Sequence, residues 1–416
     1  MPSRFAFLGA IISFIPLVKG DTCSELRANT NIEVSAPISP SYIAEQTEYW
    51  SASCSALKPS CIIFPKSAAE VSTIISVLNT NDEHFAVKSG GHSPNNYYAS
   101  VDGGPLISTQ NLDHANLDPA TGILDFGPGN RLDGLAQKLQ GTGWTFVGGR
   151  IGNTGTGGLM LGGGLSYMSA QHGWSASSVL EYELVLPNGT IAYPSATNHP
   201  SLFKALKGGG NNFGIVTNYK TQAYPQGDVY GGNLLFLRTP STDKKILQAV
   251  RDFTEYNTDD PNTARTRTYA DLMTFSNWVV LKGFQVQIGT ETIPLPSTAH
   301  SAEVLEGIHA HWRNISLTTL AVPGIVASIA YQPFPKRIAA AARAKSPDLI
   351  DADPDADKLI IEMNYAFLNP LDYPLMDNKM QQTQDYFGRL KPENRALARE
   401  VAEEVDPGGC LGIGRG

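Results

Sequence analysis

The chain has 416 residues, which is more than one hydrophobic core usually serves, so we expect two lobes. Hydrophobic residues make up 42% and charged residues 17%, a composition typical of a globular protein with sizeable cores. The formal net charge is −8 and the pI is near 5.5, and no basic stripe interrupts this acidic balance. These values exclude a protein that binds the phosphate backbone of nucleic acids.

The first twenty residues have the pattern of a secretory signal peptide. Arg4 supplies a positive charge, and the residues from Phe5 to Val18 are almost wholly apolar. This run is shorter than the ~20 residues that a membrane span requires, and no later run reaches that length, so we expect no membrane segment. We predict a secreted protein that loses residues 1–20 and carries glycans at two N-x-S/T sequons, Asn188 and Asn314.

Secretion permits disulfides, and the chain has four cysteines, Cys23, Cys54, Cys61 and Cys410. Their spacing does not decide which of them pair, and a local bridge between Cys54 and Cys61 is one of the options. No two cysteines have the C-x-x-C spacing typical of metal clusters, so we predict no metal site.

A βαβ-like unit is predicted near the start of the mature chain. A strand at Cys61–Pro65 precedes Ser67 and Glu70, whose spacing is typical of a capping box at a helix start. Four apolar residues then share one helix face, namely Val71, Ile74, Ile75 and Leu78. A second strand follows at Phe85–Val87. The residues that follow this strand lie past its C-terminal end, where ligand sites of α/β units are found.

The motif that comes next is Lys88-Ser89-Gly90-Gly91-His92-Ser93. Two adjacent glycines allow positive φ angles and expose successive N–H groups, an arrangement that binds anions such as a pyrophosphate. The imidazole of His92 would then lie one residue from the phosphates. Taken alone, this motif is equally compatible with a polar surface turn.

Two later stretches, residues 148–164 and 208–217, are also rich in glycine. The first contains Gly155-Thr156-Gly157-Gly158 and Gly162-Gly163-Gly164, and the second ends in Ile215-Val216-Thr217. Because glycine has no Cβ, such stretches let the main chain approach a ligand closely. They are not a nicotinamide-binding fingerprint, since Met160 stands where that motif needs glycine, and the chain has no P-loop motif.

The remaining pattern predicts how the chain is divided. A first lobe spans residues 57–226, after an arm at residues 21–56 with few periodic features. Its further elements are strands at Leu106–Ser108, Ile123–Phe126, Val179–Leu186, Ile191–Tyr193 and Ile215–Tyr224, and helices at Leu132–Leu139 and Leu202–Leu206.

A second lobe is predicted at residues 227–375, as an antiparallel sheet backed by helices. Its expected strands are Gly231–Leu237, Trp278–Lys282 and Gly283–Ile288, and its expected helices are Lys244–Tyr256, Ser301–Trp312 and Ile338–Ala344. Residues 376–416 form a short C-terminal segment that returns to the first lobe, with helical spacing at 394–405.

In their order and separations, the three glycine-containing motifs resemble the p-cresol methylhydroxylase-type FAD-binding domain. More widely, the chain is similar to the oxygen-dependent FAD-linked oxidoreductases, the berberine bridge enzyme-like flavoproteins. The resemblance is clearest over residues 57–226. It implies an α+β fold with a two-lobed FAD-binding domain and a substrate lobe built on an antiparallel sheet. Similarity to the fungal members implies a disulfide between Cys23 and Cys61.

The resemblance also implies which residues hold the cofactor. His92 matches the residue that this family links covalently to the 8α-methyl of FAD. Many relatives link FAD a second time, through a cysteine in the glycine-rich loop. The position of that cysteine aligns with Ile151 here, so we expect a single link. The other expected FAD-binding residues are Ser89, Gly90, Gly91, Ser93, Gly155, Thr156, Gly157, Gly158, Gly162, Gly163, Ile215 and Val216.

The implied activity is oxidation of a small organic molecule, such as a secondary-metabolite alcohol or a phenolic, by a monomeric enzyme. The substrate gives a hydride to flavin N5, and O2 then reoxidises the flavin and yields H2O2. Candidates for the base are Tyr97, Tyr98, Glu362, Asn364 and Tyr365. Tyr365 is favoured, because a tyrosine on a strand of the second lobe could project into the cleft.

Two other functions stay open from the sequence. One is a carbohydrate oxidase of the same family. The other is a flavin-binding protein without turnover, because the Tyr-x-Asn-Tyr segment usual near the C-terminus of relatives is missing here.

Overall fold

The computed structural model of the protein describes residues 21–94, 98–231, 239–256, 265–294 and 301–384. Some predictions therefore lie outside the described residues: the signal peptide, most of the strand at 231–237, Cys410, the tail helix at 394–405 and Tyr97. None of the described helices is long and apolar enough to span a membrane.

Among its described residues, the first lobe contains two larger sheets, a two-stranded sheet formed by residues 144–145 and 224–225, and eight helices. The helices are α1 (Thr22–Asn29), α2 (Pro40–Thr47), α3 (Ala52–Ala56), α4 (Ala68–Asn81), α5 (Leu132–Leu139), α6 (Thr156–Leu161), α7 (Ser169–His172) and α8 (Pro200–Leu206). The strands are β1 (Glu33–Ser35), β2 (Cys61–Phe64), β3 (Ala86–Lys88), β4 (Pro105–Ser108), β5 (Ala115–Asp118), β6 (Ile123–Phe126), β7 (Trp144–Thr145), β8 (Val179–Val185), β9 (Ile191–Ala192), β10 (Ile215–Gln222) and β11 (Tyr224–Pro225).

The first sheet has the order β1-β2-β4-β3, in which β2, β4 and β3 are parallel. Ser67 caps the N-terminus of helix α4, and its hydroxyl accepts a hydrogen bond from the amide of Glu70 at 3.2 Å. The Glu70 carboxylate reaches back to the amide of Lys66 at 2.7 Å, one residue before the partner that the capping box predicts. All four apolar residues of the predicted helix face are buried, so this βαβ unit is confirmed.

The N-terminal arm differs from the sequence prediction, which gave it few regular features. It forms three short helices and strand β1, and β1 pairs antiparallel with β2. A disulfide joins Cys23 in α1 to Cys61 in β2, as the resemblance implies. The arm is therefore part of the first sheet and of its core.

The second sheet of the first lobe is antiparallel, with the order β5-β6-β10-β8-β9. The predicted hairpin around residues 187–190 is present as β8 and β9. Its core gathers Phe126, Leu135, Tyr182 and Tyr219, none of which is exposed.

The second lobe contains the described elements β12 (Val229–Gly231), α9 (Pro240–Tyr256), β13 (Arg265–Arg267), α10 (Tyr269–Phe275), β14 (Gln285–Pro294), α11 (Ser301–Leu317), β15 (Val326–Phe334), α12 (Lys336–Lys345), β16 (Lys358–Phe367) and α13 (Tyr373–Gln384). Short 3-10 helices are formed by Ala176–Ser178, Ser276–Val279 and Pro370–Asp372. Strands β14, β16 and β15 form an antiparallel sheet in that order, with α9, α11 and α13 packed on one face.

One predicted strand of this lobe is wrong. The segment Trp278–Lys282 starts in a 3-10 helix and is not paired with any described strand. The β-forming residues of this segment have no sheet to pack against, and Trp278 is 58% exposed. The surrounding structure therefore overrides the strand propensity of the segment. The preceding helix α10 buries Tyr269 and Met273 in the core of the first lobe, which brings this segment onto that lobe.

Candidate active site

The loop that contains His92, residues 89–93, is called the histidine loop here. It leaves the first sheet at the end of β3, beside the parallel strand β4. The last residue of β3, Lys88, is almost completely buried and is held by Glu45 from the N-terminal arm. Its Nζ lies 2.8 Å from the Glu45 carboxylate and 2.7 Å from the Glu45 carbonyl oxygen. Ser108 donates to the same carboxylate at 2.7 Å. This buried network fixes the point at which the loop begins.

Two of the glycine stretches predicted to bind the cofactor are in contact. A Cβ on Gly90 would lie 2.3 Å from the amide nitrogen of Gly155, and a Cβ on Gly155 would lie 2.2 Å from that of Gly90. The Ser89 hydroxyl donates to the carbonyl of Pro128 at 2.6 Å and accepts from the amide of Gly157 at 3.2 Å. Close packing of the two loops therefore requires glycine here, whether or not a ligand is bound.

The histidine loop keeps main-chain donors available. Among the described residues, the amides of Gly90, Gly91 and His92 have no acceptor. Gly91 has a φ of 63°, which a glycine adopts without strain. In helix α6, Gly158 is exposed, and no heavy atom lies within 4 Å of the position that its Cβ would take. Successive amides without an acceptor, as in the histidine loop, suit the pyrophosphate of a dinucleotide.

His92 lies beside these amides, in contact with two side chains that the sequence analysis did not single out. Its imidazole stacks on the indole of Trp50, with ring centroids 4.7 Å apart and planes tilted by 40°. Its Nε2 lies 3.2 Å from Oδ1 of Asn153. Burial is the main reason that the pKa of His92 is lowered to about 4. The charge on Arg131 lowers this pKa further, whereas the hydrogen bond to Asn153 raises it. The imidazole is therefore neutral at physiological pH, with a lone pair on one nitrogen.

Three other residues predicted to bind FAD, Thr156, Ile215 and Val216, have side chains that contact other parts of the protein. Thr156 is buried, its hydroxyl donates to the carbonyls of Gly127 and Asn130 at 3.2 and 3.1 Å, and its amide donates to Asn130 at 2.9 Å, so only its main-chain carbonyl stays a candidate. The side chains of Ile215 and Val216 lie in two different cores, which again leaves the main chain. Their contact with FAD stays a prediction.

The glycines after α6 have a clear structural role. A Cβ on Gly163 would lie 2.4 Å from Cδ1 of Ile350, so this residue packs against protein and not against open space. The amides of Gly208 and Gly210 both donate to the carbonyl of Leu161 and so attach the third glycine stretch to the end of α6. Gly162 is exposed at the same helix end, and its role in binding FAD stays a prediction.

The prediction that Tyr365 projects into the cleft is wrong. Its side chain is completely buried on the helix-covered face of the second-lobe sheet, and its hydroxyl lies 3.1 Å from that of Ser316 in α11. Residues alternate between the faces of a strand, so Tyr365 shares its face with the apolar Met363 and Phe367. A core tyrosine held by a helix has no access to a substrate.

The opposite face of β16 carries the polar candidates Glu362 and Asn364. Gln332 of β15 donates to one Glu362 oxygen at 3.1 Å, and Asn364 donates to the other at 3.1 Å. Arg150, from the glycine-rich loop of the first lobe, donates to Oε1 of Gln332 at 2.5 Å. Oδ1 of Asn364 is buried and has no hydrogen-bond partner in the described part of the chain. This network connects the second lobe with the loop that lies beside His92.

Comparisons with known proteins agree with this arrangement. An FAD binding domain model matches residues 59–193. An uncharacterized FAD-linked oxidoreductase of Arthroderma benhamiae is 33% identical over 92% of this chain and 91% of its own length. The FAD-dependent monooxygenase FUP4 of Fusarium proliferatum is 35% identical over 57% of this chain, and the match covers 45% of FUP4.

The fold is also similar to that of a glucooligosaccharide oxidase from Acremonium strictum, a protein described with 6-S-cysteinyl, 8α-N1-histidyl FAD. The TM-score is 0.74, at 15% identity, over 94% of this chain and 98% of that chain. Fold and site together define an FAD-binding oxidoreductase with a second lobe built on an antiparallel sheet. The chain belongs to the FAD-linked oxidoreductase family.

Proposed function

We propose that this protein is a secreted oxidase that holds one FAD through a single covalent bond from His92 and oxidises a small alcohol or phenol. The observation that carries this proposal is the neutral, half-buried imidazole of His92 next to the amides of Gly90, Gly91 and His92, which have no acceptor among the described residues. The bound FAD would supply hydride acceptance at N5 and electron transfer to O2, with release of H2O2.

Residues of the first lobe would hold and orient the cofactor. The amides of Gly90, Gly91 and His92 would donate to its pyrophosphate. The contact between Gly90 and Gly155 holds the histidine loop against the second glycine stretch.

Glu362 is the residue that we propose as proton acceptor, in place of Tyr365. It lies on the sheet face that the Arg150 loop reaches, and it accepts hydrogen bonds from Gln332 and Asn364. Amide donors of this kind orient a carboxylate without removing its charge. For an alcohol, or a phenol that carries an alcohol group on its side chain, the alcohol's hydroxyl hydrogen leaves as a proton to Glu362, and the carbon that bears this hydroxyl is then free to release its hydrogen as hydride.

The unpaired Oδ1 of Asn364 supports a substrate with a second donor group, because a buried acceptor without a partner costs about 1–3 kcal/mol. A polyol or sugar offers such a donor. Together with the fold of the glucooligosaccharide oxidase, this supports a carbohydrate oxidase as the second candidate function.

The test combines a substrate panel with one substitution. Purified protein is given phenolic alcohols, secondary alcohols and oligosaccharides under air, and H2O2 and O2 consumption are followed. An oxidase gives one H2O2 for each O2 consumed, whereas a monooxygenase gives less. With the best substrate, Glu362→Gln should slow flavin reduction about 100-fold or more. The matched control is Glu306→Gln on α11, which pairs with Lys244 at the surface. No flavin reduction by any compound would refute the proposed activity.

Secretion is supported by the pattern of residues 1–20 and by the Cys23–Cys61 disulfide, since disulfides persist in oxidising compartments. Expression in the native host should yield protein in the culture medium whose first residue is Asp21. Retention inside the cell would refute this part of the proposal.

A further inference from the structure

The Arg150–Thr154 loop, which supplies the hydrogen-bond partner of His92, is clamped by a segment that is distant in sequence. The amide of Asn153 donates to Oδ1 of Asn277 at 2.6 Å, and the amide of Gly152 donates to the hydroxyl of Ser276 at 3.0 Å. Asn277 in turn donates through Nδ2 to a carboxylate oxygen of Asp133 at 2.9 Å. Two successive amides of the loop, those of Gly152 and Asn153, are therefore held by the Ser276–Asn277 segment.

A fixed main chain restricts the side chain of Asn153, and this side chain meets Nε2 of His92 at 3.2 Å. When Oδ1 of Asn153 accepts the Nε2 proton of a neutral imidazole, the lone pair is on Nδ1, because the hydrogen bond of one ring nitrogen sets the state of the other. Stacking on Trp50 restricts the plane of the same ring. The hydrogen bond to Asn153 and the stacking on Trp50 therefore restrict how this ring can turn.

We propose that Asn153, held by Asn277, is a positioning residue that keeps His92 in the Nε2–H form and presents Nδ1 for covalent attachment of FAD. This inference rests on the proposed function, since it concerns the link between His92 and the cofactor. In the net reaction, an Nδ1–C8α bond forms, one C8α–H bond breaks and the imidazole gives up its N–H proton. Breaking the C8α–H and N–H bonds releases two electrons and two protons, which reduce O2 to H2O2.

The acceptor role predicts a defined order among variants. Asn153→Leu keeps the size of the side chain but removes its hydrogen bond, so it should bind FAD with a covalent fraction at least tenfold lower than wild type. Asn153→Asp still accepts the Nε2 proton and should keep at least half of the wild-type covalent fraction. Asn277→Ala loosens the loop and should give an intermediate value, about two- to fivefold lower. Asn116→Ala, an exposed asparagine of β5, is the matched control and should equal wild type.

The measurement is the flavin that stays on the protein after denaturation, divided by the total flavin bound before it. Substrate turnover is not required, and the rescue by aspartate separates an acceptor role from a general effect on packing. Far-UV circular dichroism verifies that each variant is folded; if Asn153→Leu does not fold, the aspartate and Asn277→Ala variants decide.

Equal covalent fractions in wild type and Asn153→Leu would overturn the inference. So would an aspartate variant as poor as the leucine variant, because the amide would then act as a donor. Wild-type protein that binds FAD but releases all of it on denaturation contradicts the covalent link itself, and wild-type protein without any flavin contradicts the proposed function.

Discussion

The neutral state of His92 has a measurable effect on the stability of the flavin-free protein. In the folded chain, burial lowers the pKa of His92 to about 4, whereas the ordinary value is 6.5. As the pH falls below 6.5, the unfolded chain therefore binds a proton that the folded chain does not. The contribution of His92 to stability is complete above pH 6.5 and is lost as the pH falls towards 4.

The two pKa values set the size of the effect. Linkage gives a loss of about 2.5 kcal/mol between pH 7.5 and pH 4.5 from this residue alone. Other groups also titrate in this range, so the quantity to compare is the difference between wild type and a variant without the imidazole. His92→Phe keeps a flat ring against Trp50 and cannot take up a proton.

The assay is urea unfolding, followed by tryptophan fluorescence, of protein expressed under riboflavin starvation. Between the two pH values, wild type should lose about 2.5 kcal/mol more than His92→Phe. His84→Phe, at an exposed histidine, should lose as much as wild type. Equal losses in wild type and His92→Phe would refute the claim that the folded protein keeps this imidazole neutral.

Two further predictions concern the support of the site. Replacing Cys23 and Cys61 by serine opens a bridge between residues 38 apart in sequence, which should cost about 4 kcal/mol in the free energy of unfolding. Urea midpoints within error of wild type would contradict the bridge. Lys88→Met leaves Glu45 buried without its cation and should cost about 3–5 kcal/mol. Adding Glu45→Gln to Lys88→Met should recover more than half of this loss, and a single-variant cost below 1 kcal/mol would contradict the buried pair.

The elements that the sequence predicts correctly are those in which local pattern and burial agree. The capped helix α4 has its apolar residues at helical spacing, and strands β2 and β6 are short apolar runs between turns. The histidine loop follows from glycine chemistry, since positive φ and close loop contact both exclude a side chain.

The errors arise where a distant part of the chain decides the outcome. Trp278–Lys282 has β-forming residues but has no partner strand, because α10 places the segment on the first lobe. The contacts of Asn153 with His92 and with Asn277 join residues 61 and 124 positions apart, which no local pattern reveals. For Tyr365 the signal was present, since its apolar neighbours at alternate positions of β16 indicate the buried face.

The attachment of FAD to His92 is the central claim, and peptide mapping of the denatured wild-type protein tests it most directly. Trypsin cleaves after Lys88, so His92 lies in the peptide that begins at Ser89. We predict that this peptide carries the mass of FAD and that His92→Ala abolishes the modification. A flavin on another peptide, or an unmodified Ser89 peptide from yellow wild-type protein, would contradict the account.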